Sequence, residues 1–154
     1  MGLFDFTKKI FGSKYDKDLK QITPVIDKIK EAYPHIQKLS NDELRGKTTE
    51  FKSKIKSACQ ANEQKIVELN NKAKKQDLNS QEKETIFSEI DDLQKQNLQI
   101  IEDTLESILP EAFAVIKETA NRFSNGEIEV TANNFDKELS ANYSNVSIKG
   151  DKAI

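Results

Sequence analysis

The chain has 154 residues, 36% of them hydrophobic and 32% charged, which is enough for one domain but lean for a large central core. A net charge of −2 and an isoelectric point near 5.6 exclude a general nucleic-acid binder, which needs a basic surface to release phosphate counterions. The single cysteine, Cys59, excludes an internal disulfide and fits a reducing compartment.

Charge is unevenly placed. Residues 1–30 carry seven lysines against four aspartates, a local excess of +3, so the rest of the chain sums to −5. Residues 1–12 read as an amphipathic helix: Leu3, Phe6 and Ile10 share one face, Phe4 and Phe11 flank it, and Asp5, Lys8 and Lys9 lie mostly opposite. The charges interrupt any signal-peptide core, and no run in the chain approaches the roughly 18 apolar residues of a membrane span. Aromatics beside lysines suit an interfacial helix on an anionic lipid surface. The same pattern equally suits a short helix docked on the protein itself.

Residues 13–39 predict a kinked helix. Tyr15, Leu19, Ile22, Ile26, Ile29 and Tyr33 recur at alternating spacings of four and three, with Pro24 expected to kink the run or mark a restart after Thr23 and Pro34 to end it. Residues 40–109 predict a long antiparallel helical hairpin. Ser40-Asn41-Asp42-Glu43 is a capping box, and Leu44, Thr48, Phe51, Ile55, Cys59, Asn62, Ile66, Leu69 and Ala73 form a seam at heptad spacing. The polar run Gln76 to Ser80 is the turn, after which Ile86, Ile90, Leu93, Asn97, Ile100, Thr104 and Ile108 repeat the rhythm. Asn62 and Asn97 fall on the two seams at similar distances from the turn, where facing amides would hold register at some cost in stability.

Pro110 is placed to start a separate apolar helix over 110–125, with Asn125-Gly126 as its stop. Leu109, Phe113, Ile116, Ala120 and Phe123 share one face of it, and Ala112 and Val115 widen the apolar surface beyond what one neighbour would cover. Residues 126–154 read as a small strand and helix piece: an alternating stretch at 127–131, a short helix from Asn134 to Tyr143 capped by Asn133 or Asn134, and a second alternation at 146–148. The expected class is therefore mainly α.

Catalytic chemistry has little to work with. One histidine, His35, beside Pro34, and one cysteine do not make a zinc site. Carboxylate pairs such as Glu82/Glu84 and Asp91/Asp92 belong to a solvated face. The five glycines are isolated, so no phosphate-binding loop occurs.

Lys9 to Ile55, with Phe11-Gly12-Ser13, the Leu39-to-Leu44 cap, Lys47-Thr48 and Glu50-Phe51, and then Leu105 to Phe123, with Pro110-Glu111-Ala112-Phe113-Ala114-Val115, resemble the N-terminal segment of the SecA family. The match covers about two thirds of the chain. A long helical insertion at about 56–104 and the stretch from 127 onward depart from the common pattern, and no adenine-contacting glutamine motif or Walker A loop appears. The resemblance implies the N-terminal part of a motor that uses ATP and magnesium to drive preprotein export through the SecYEG channel, with 126–154 as the partial start of a nucleotide-binding domain and no ATP site in this chain. It further implies a cytoplasmic protein, peripheral on the inner face of the plasma membrane, whose partners are the channel, anionic phospholipid, the preprotein, the rest of the motor and a second copy. Under it, Leu3, Phe4, Phe6, Lys8, Lys9, Ile10 and Phe11 face the membrane, while Leu109, Phe113, Val115, Ile116 and Phe123 dock the motor. A freestanding helical membrane-associated adaptor is the alternative.

Overall fold

A computed structural model of the chain describes residues 14–74 and 77–154. The expected amphipathic helix of residues 1–12 lies outside the described residues.

The elements run α1 (Lys14–Ile36), α2 (Asn41–Ala73), α3 (Ser80–Ser124), β1 (Val130–Thr131), α4 (Asn134–Asn142), β2 (Ile148–Lys149) and β3 (Lys152–Ala153). Of the four helices among the described residues, three open on a capping box. The Ser40 hydroxyl accepts from the Glu43 amide at 3.2 Å while the Glu43 carboxylate accepts from the Ser40 amide at 2.7 Å. Asn79 and Glu82 make the same reciprocal pair at the start of α3, at 2.9 and 2.8 Å. Asn133 and Asp136 repeat it for α4, at 3.0 and 2.9 Å. Each box satisfies two amides that the first helical turn otherwise leaves unpaired. The Ser40 donors hold the Glu43 carboxyl below its ordinary value.

Two compact units divide the chain, one of residues 45–109 and one of residues 1–44 with 110–154. In the first, α2 and α3 pair antiparallel, since Lys65 bridges Glu89 at 2.6 Å and the Cys59 thiol lies 3.9 Å from the Asn97 carbonyl oxygen. Cys59, Ile86, Ile90, Leu93 and Ile108 are buried along the seam, with Phe51, Ile55, Ile66 and Leu69 half-buried beside them. Thr48, expected on this seam, is exposed. Both seam asparagines are half-buried. Asn62 Nδ2 and Asn97 Oδ1 have no hydrogen-bond partner among the described residues.

In the second unit Ile36, Leu44 and Ala114 form a small core, with Ile29, Ala32, Tyr33, Leu39 and Val115 packed against it. The first half of the α1 stripe goes uncovered: Leu19, Ile22 and Ile26 are exposed.

Pro34 and Pro110 do not bound helices as the sequence expectation had them, and Pro24 lies within a single helix with no restart after Thr23. Pro24 and Pro34 lie inside α1, and Pro110 lies inside α3 instead of starting a helix of its own. A mid-helix proline removes the amide that would pair with the carbonyl four residues back. For Pro110 that carbonyl belongs to exposed Glu106, so water can satisfy it, and packing on both sides of the break carries the helix through. Pro34 sits two residues before α1 ends, where amide bonds from Lys38 to His35 and from Leu39 to Ile36 already tighten the turn.

The C-terminal piece forms a three-stranded antiparallel sheet in the order β1-β3-β2. Ala153 lies opposite both Val130 and Ile148, and Lys152 opposite both Thr131 and Lys149. The central strand was not among the sequence expectations. Gly150-Asp151 turns the chain between β2 and β3, with Gly150 at φ 63°, a backbone geometry that suits glycine in a two-residue hairpin. Asp42, beside the α2 cap, ties the sheet down: its carboxylate accepts from the Thr131 amide at 2.8 Å and hydroxyl at 2.7 Å. The neighbouring Asn41 side chain donates to the Glu129 carbonyl at 3.0 Å.

Candidate docking surface

The C-terminal third of α3 has two opposite faces with different fates. At 3.6 residues per turn, Ala114, Val115, Glu118 and Arg122 share one side of the helix. Phe113, Ile116, Ala120 and Phe123 share the other.

The inner side meets the C-terminal half of α1. Ala114 is fully buried and Val115 packs against the same cluster. One turn on, Glu118 is buried in the middle of this contact. It accepts from Arg122 Nε at 2.8 Å and from the Tyr33 hydroxyl at 3.0 Å. The rest of the guanidinium fans outward: Nη1 donates to Asn41 Oδ1 at 2.7 Å and Nη2 to the Leu39 carbonyl at 2.7 Å. One arginine thus joins α3 to the loop after α1 and to the first residue of α2. A buried charge is tolerable only when its lone pairs and protons are matched in this way.

The electrostatics follow from that matching. The Arg122 hydrogen bond, working against burial, holds the Glu118 carboxyl below its ordinary value. Tyr33 moves up, first through desolvation and then through its bond to the Glu118 carboxylate. Lys117 sits 4.1 Å above the Tyr33 ring centroid and covers that end of the node. Every polar group here is engaged with another protein group, so the node is a structural clamp. Sequence reasoning did not single it out. Its available signal was the Glu118–Arg122 pair at helical i,i+4 spacing within an otherwise apolar segment.

On the outer side Phe113, Ile116 and Phe123 are 50%, 64% and 68% exposed. Leu109, the last residue of the hairpin unit, is also exposed. Of the five residues the resemblance assigned to motor docking, four therefore lie exposed, and Val115 belongs to the inner contact. The seven residues it assigned to the membrane, Leu3, Phe4, Phe6, Lys8, Lys9, Ile10 and Phe11, are outside the described residues. Among the described residues, no helix is long and apolar enough to cross a membrane, and no group of three His, Cys, Asp or Glu side chains could hold a metal ion.

The family model described as the SecA DEAD-like domain matches residues 7–143. Relatives named protein translocase subunit SecA align over the whole chain: 47% identical in Phocaeicola vulgatus, 44% in Bacteroides fragilis and 45% in Christiangramia forsetii. The chain spans 14% of the length of each. No solved structure matches it significantly.

Proposed function

Since the chain belongs to the SecA family, we propose that it acts as the attachment portion of a protein-translocating ATPase, supplying contacts and no catalytic group of its own. One surface packs onto the rest of the motor, which binds ATP and magnesium. The observation that carries this reading is the outer face of α3, where Phe113, Ile116 and Phe123 stay in water although the opposite face of the same turns is packed and clamped. An apolar helical face is normally packed against a partner, so this one has the character of an interface.

The N-terminal set of Leu3, Phe4, Phe6, Lys8, Lys9, Ile10 and Phe11 supplies the second contact, with an anionic membrane surface beside the SecYEG channel. That places the protein in the cytoplasm and peripherally on the inner face of the plasma membrane, where the assembled motor handles preprotein and can pair with a second copy. The relatives' name and the chemistry of the segment, aromatic side chains beside lysines, support this.

The test for motor docking is binding of the chain to the Bacteroides fragilis SecA protein shortened by the part that aligns with it. Paired Phe113→Ser and Ile116→Ser substitutions should weaken binding at least tenfold; unchanged affinity would refute the assignment. For the membrane contact, the chain should co-sediment with vesicles rich in anionic lipid and lose most of that binding when residues 2–11 are removed. Equal binding to neutral vesicles would refute it.

A further inference from the structure

The two helices of the hairpin unit carry opposite charge. Residues 45–73 hold seven cationic side chains against three acidic ones, whereas residues 80–109 hold eight acidic side chains against two lysines. Lys65–Glu89 is one ion pair between the two helices. Within residues 80–109, Glu84, Asp91, Glu102 and Glu106 are all exposed.

Beside that acidic row runs a second apolar strip, separate from the buried seam. Phe87, Leu98, Ile101, Leu105 and Leu109 fall within about a quarter of the helix circumference. Phe87, Leu98 and Leu105 are 50%, 68% and 48% exposed, and Ile101 is half-buried. Single exposed leucines are ordinary; a strip at heptad spacing on a helix whose other side is already packed is the surface pattern of a binding groove. On one side the strip borders the seam. On the other it borders the carboxylates.

We propose that this strip binds a cationic amphipathic helix of another protein, whose leucine-like side chains cover Leu98, Ile101 and Leu105 while its lysines or arginines meet Glu102, Glu106 and Asp91. Charge decides the occupant. An antiparallel pairing with a second copy would set the acidic row against itself about its two-fold axis, and self-association is an outcome of the test below. An anionic lipid surface would be repelled by the same carboxylates. Helix-in-groove binding with opposite flanking charge gains from both the apolar area and the ion pairs at its rim. Leu109 is shared with the docking face on the C-terminal third of α3, so the substitutions that test this proposal are placed at Leu98, Leu105, Glu102 and Glu106.

The probe is a designed peptide, LKKLLKLLKKLLKL, titrated by fluorescence anisotropy against the full chain, with its glutamate counterpart LEELLELLEELLEL as control. The lysine peptide should bind, with affinity falling at least threefold between 50 and 300 mM salt as the rim charges are screened, and the glutamate peptide at least tenfold more weakly. Leu98→Ser with Leu105→Ser should weaken binding at least tenfold. Glu102→Gln with Glu106→Gln should weaken it about threefold and flatten the salt dependence. All four side chains are exposed, so circular dichroism and the melting temperature should stay close to those of the parent chain. Equal affinity for the two peptides, no binding, or no effect of either pair of substitutions overturns the proposal. So does concentration-dependent self-association in sedimentation that Leu98→Ser with Leu105→Ser removes, because the occupant would then be a second copy.

Discussion

Replacing Arg122 by methionine keeps most of the apolar stem and removes only the guanidinium, which tests whether the clamp holds the second unit together. Four contacts are affected: the bonds to Glu118 and Asn41 side chains and to the Leu39 and Gln37 carbonyls. Breaking a fully buried ion pair by deleting one partner destabilises by about 3–5 kcal/mol, because the other charge stays buried and unmatched. Here Glu118 is 7% exposed and Arg122 17%, so solvent screens part of the loss, and Tyr33 still donates to the carboxylate. The expected destabilisation is therefore about 2–3 kcal/mol. In urea unfolding at pH 7 this reads directly as a lowered midpoint at unchanged slope. The pH dependence supplies the sharper check. Arg122 depresses the Glu118 carboxyl, so the clamp's contribution is fully present above the unfolded carboxylate value and is lost as pH falls through the lower folded one. The variant's Glu118, buried without its partner, relieves its own penalty by protonating earlier. Stability of parent and variant should thus converge as pH drops from 7 toward 3. A gap under about 0.5 kcal/mol at pH 7, where single-site surface effects lie, or a gap that does not change with pH, would refute the reasoning.

Asn62→Leu should stabilise the hairpin unit by about 1–2 kcal/mol, since an unpaired amide on the seam is exchanged for apolar surface, and the thermal midpoint should rise. A lowered midpoint would refute the reading that the two asparagines hold register at a cost in stability. Gly150→Ala meets no atom within 4 Å of the added Cβ, so only its positive φ opposes the change, by about 1 kcal/mol. Hydrogen exchange at Ile154, whose amide donates to the Ser147 carbonyl at 2.9 Å, should quicken, and Gly150→Asn should do less because asparagine tolerates that backbone region better.

Much of the helical architecture was legible before any coordinates. The Ser40–Glu43 box, the two heptad seams meeting through a polar turn near residue 77, and the stop after Ser124 are local signals, set by groups three or four residues apart. Antiparallel pairing followed because a short connection between two apolar stripes leaves little else. The family resemblance rested on collinear motifs and needed no structure; relatives at 44–47% identity bear it out.

Tertiary structure decided what local signals could not. Prolines at 24, 34 and 110 ordinarily break helices, yet all three lie inside one; at Pro110 buried Ile108 and Ala114 on either side outweigh one missing hydrogen bond. The strand Lys152–Ala153 is too short to announce itself and exists because Val130 and Ile148 flank it. Glu118 and Arg122 look like a solvated helical pair until Tyr33, Leu39 and Asn41, some 80 residues earlier, close over them. The apolar run from Ile108 to Ile116 carries no label saying which side is core. Only the placement of α1 against Ala114 assigns one face to the interior and leaves Phe113, Ile116 and Phe123 outside, because burial depends on the partner and periodicity describes one helix alone.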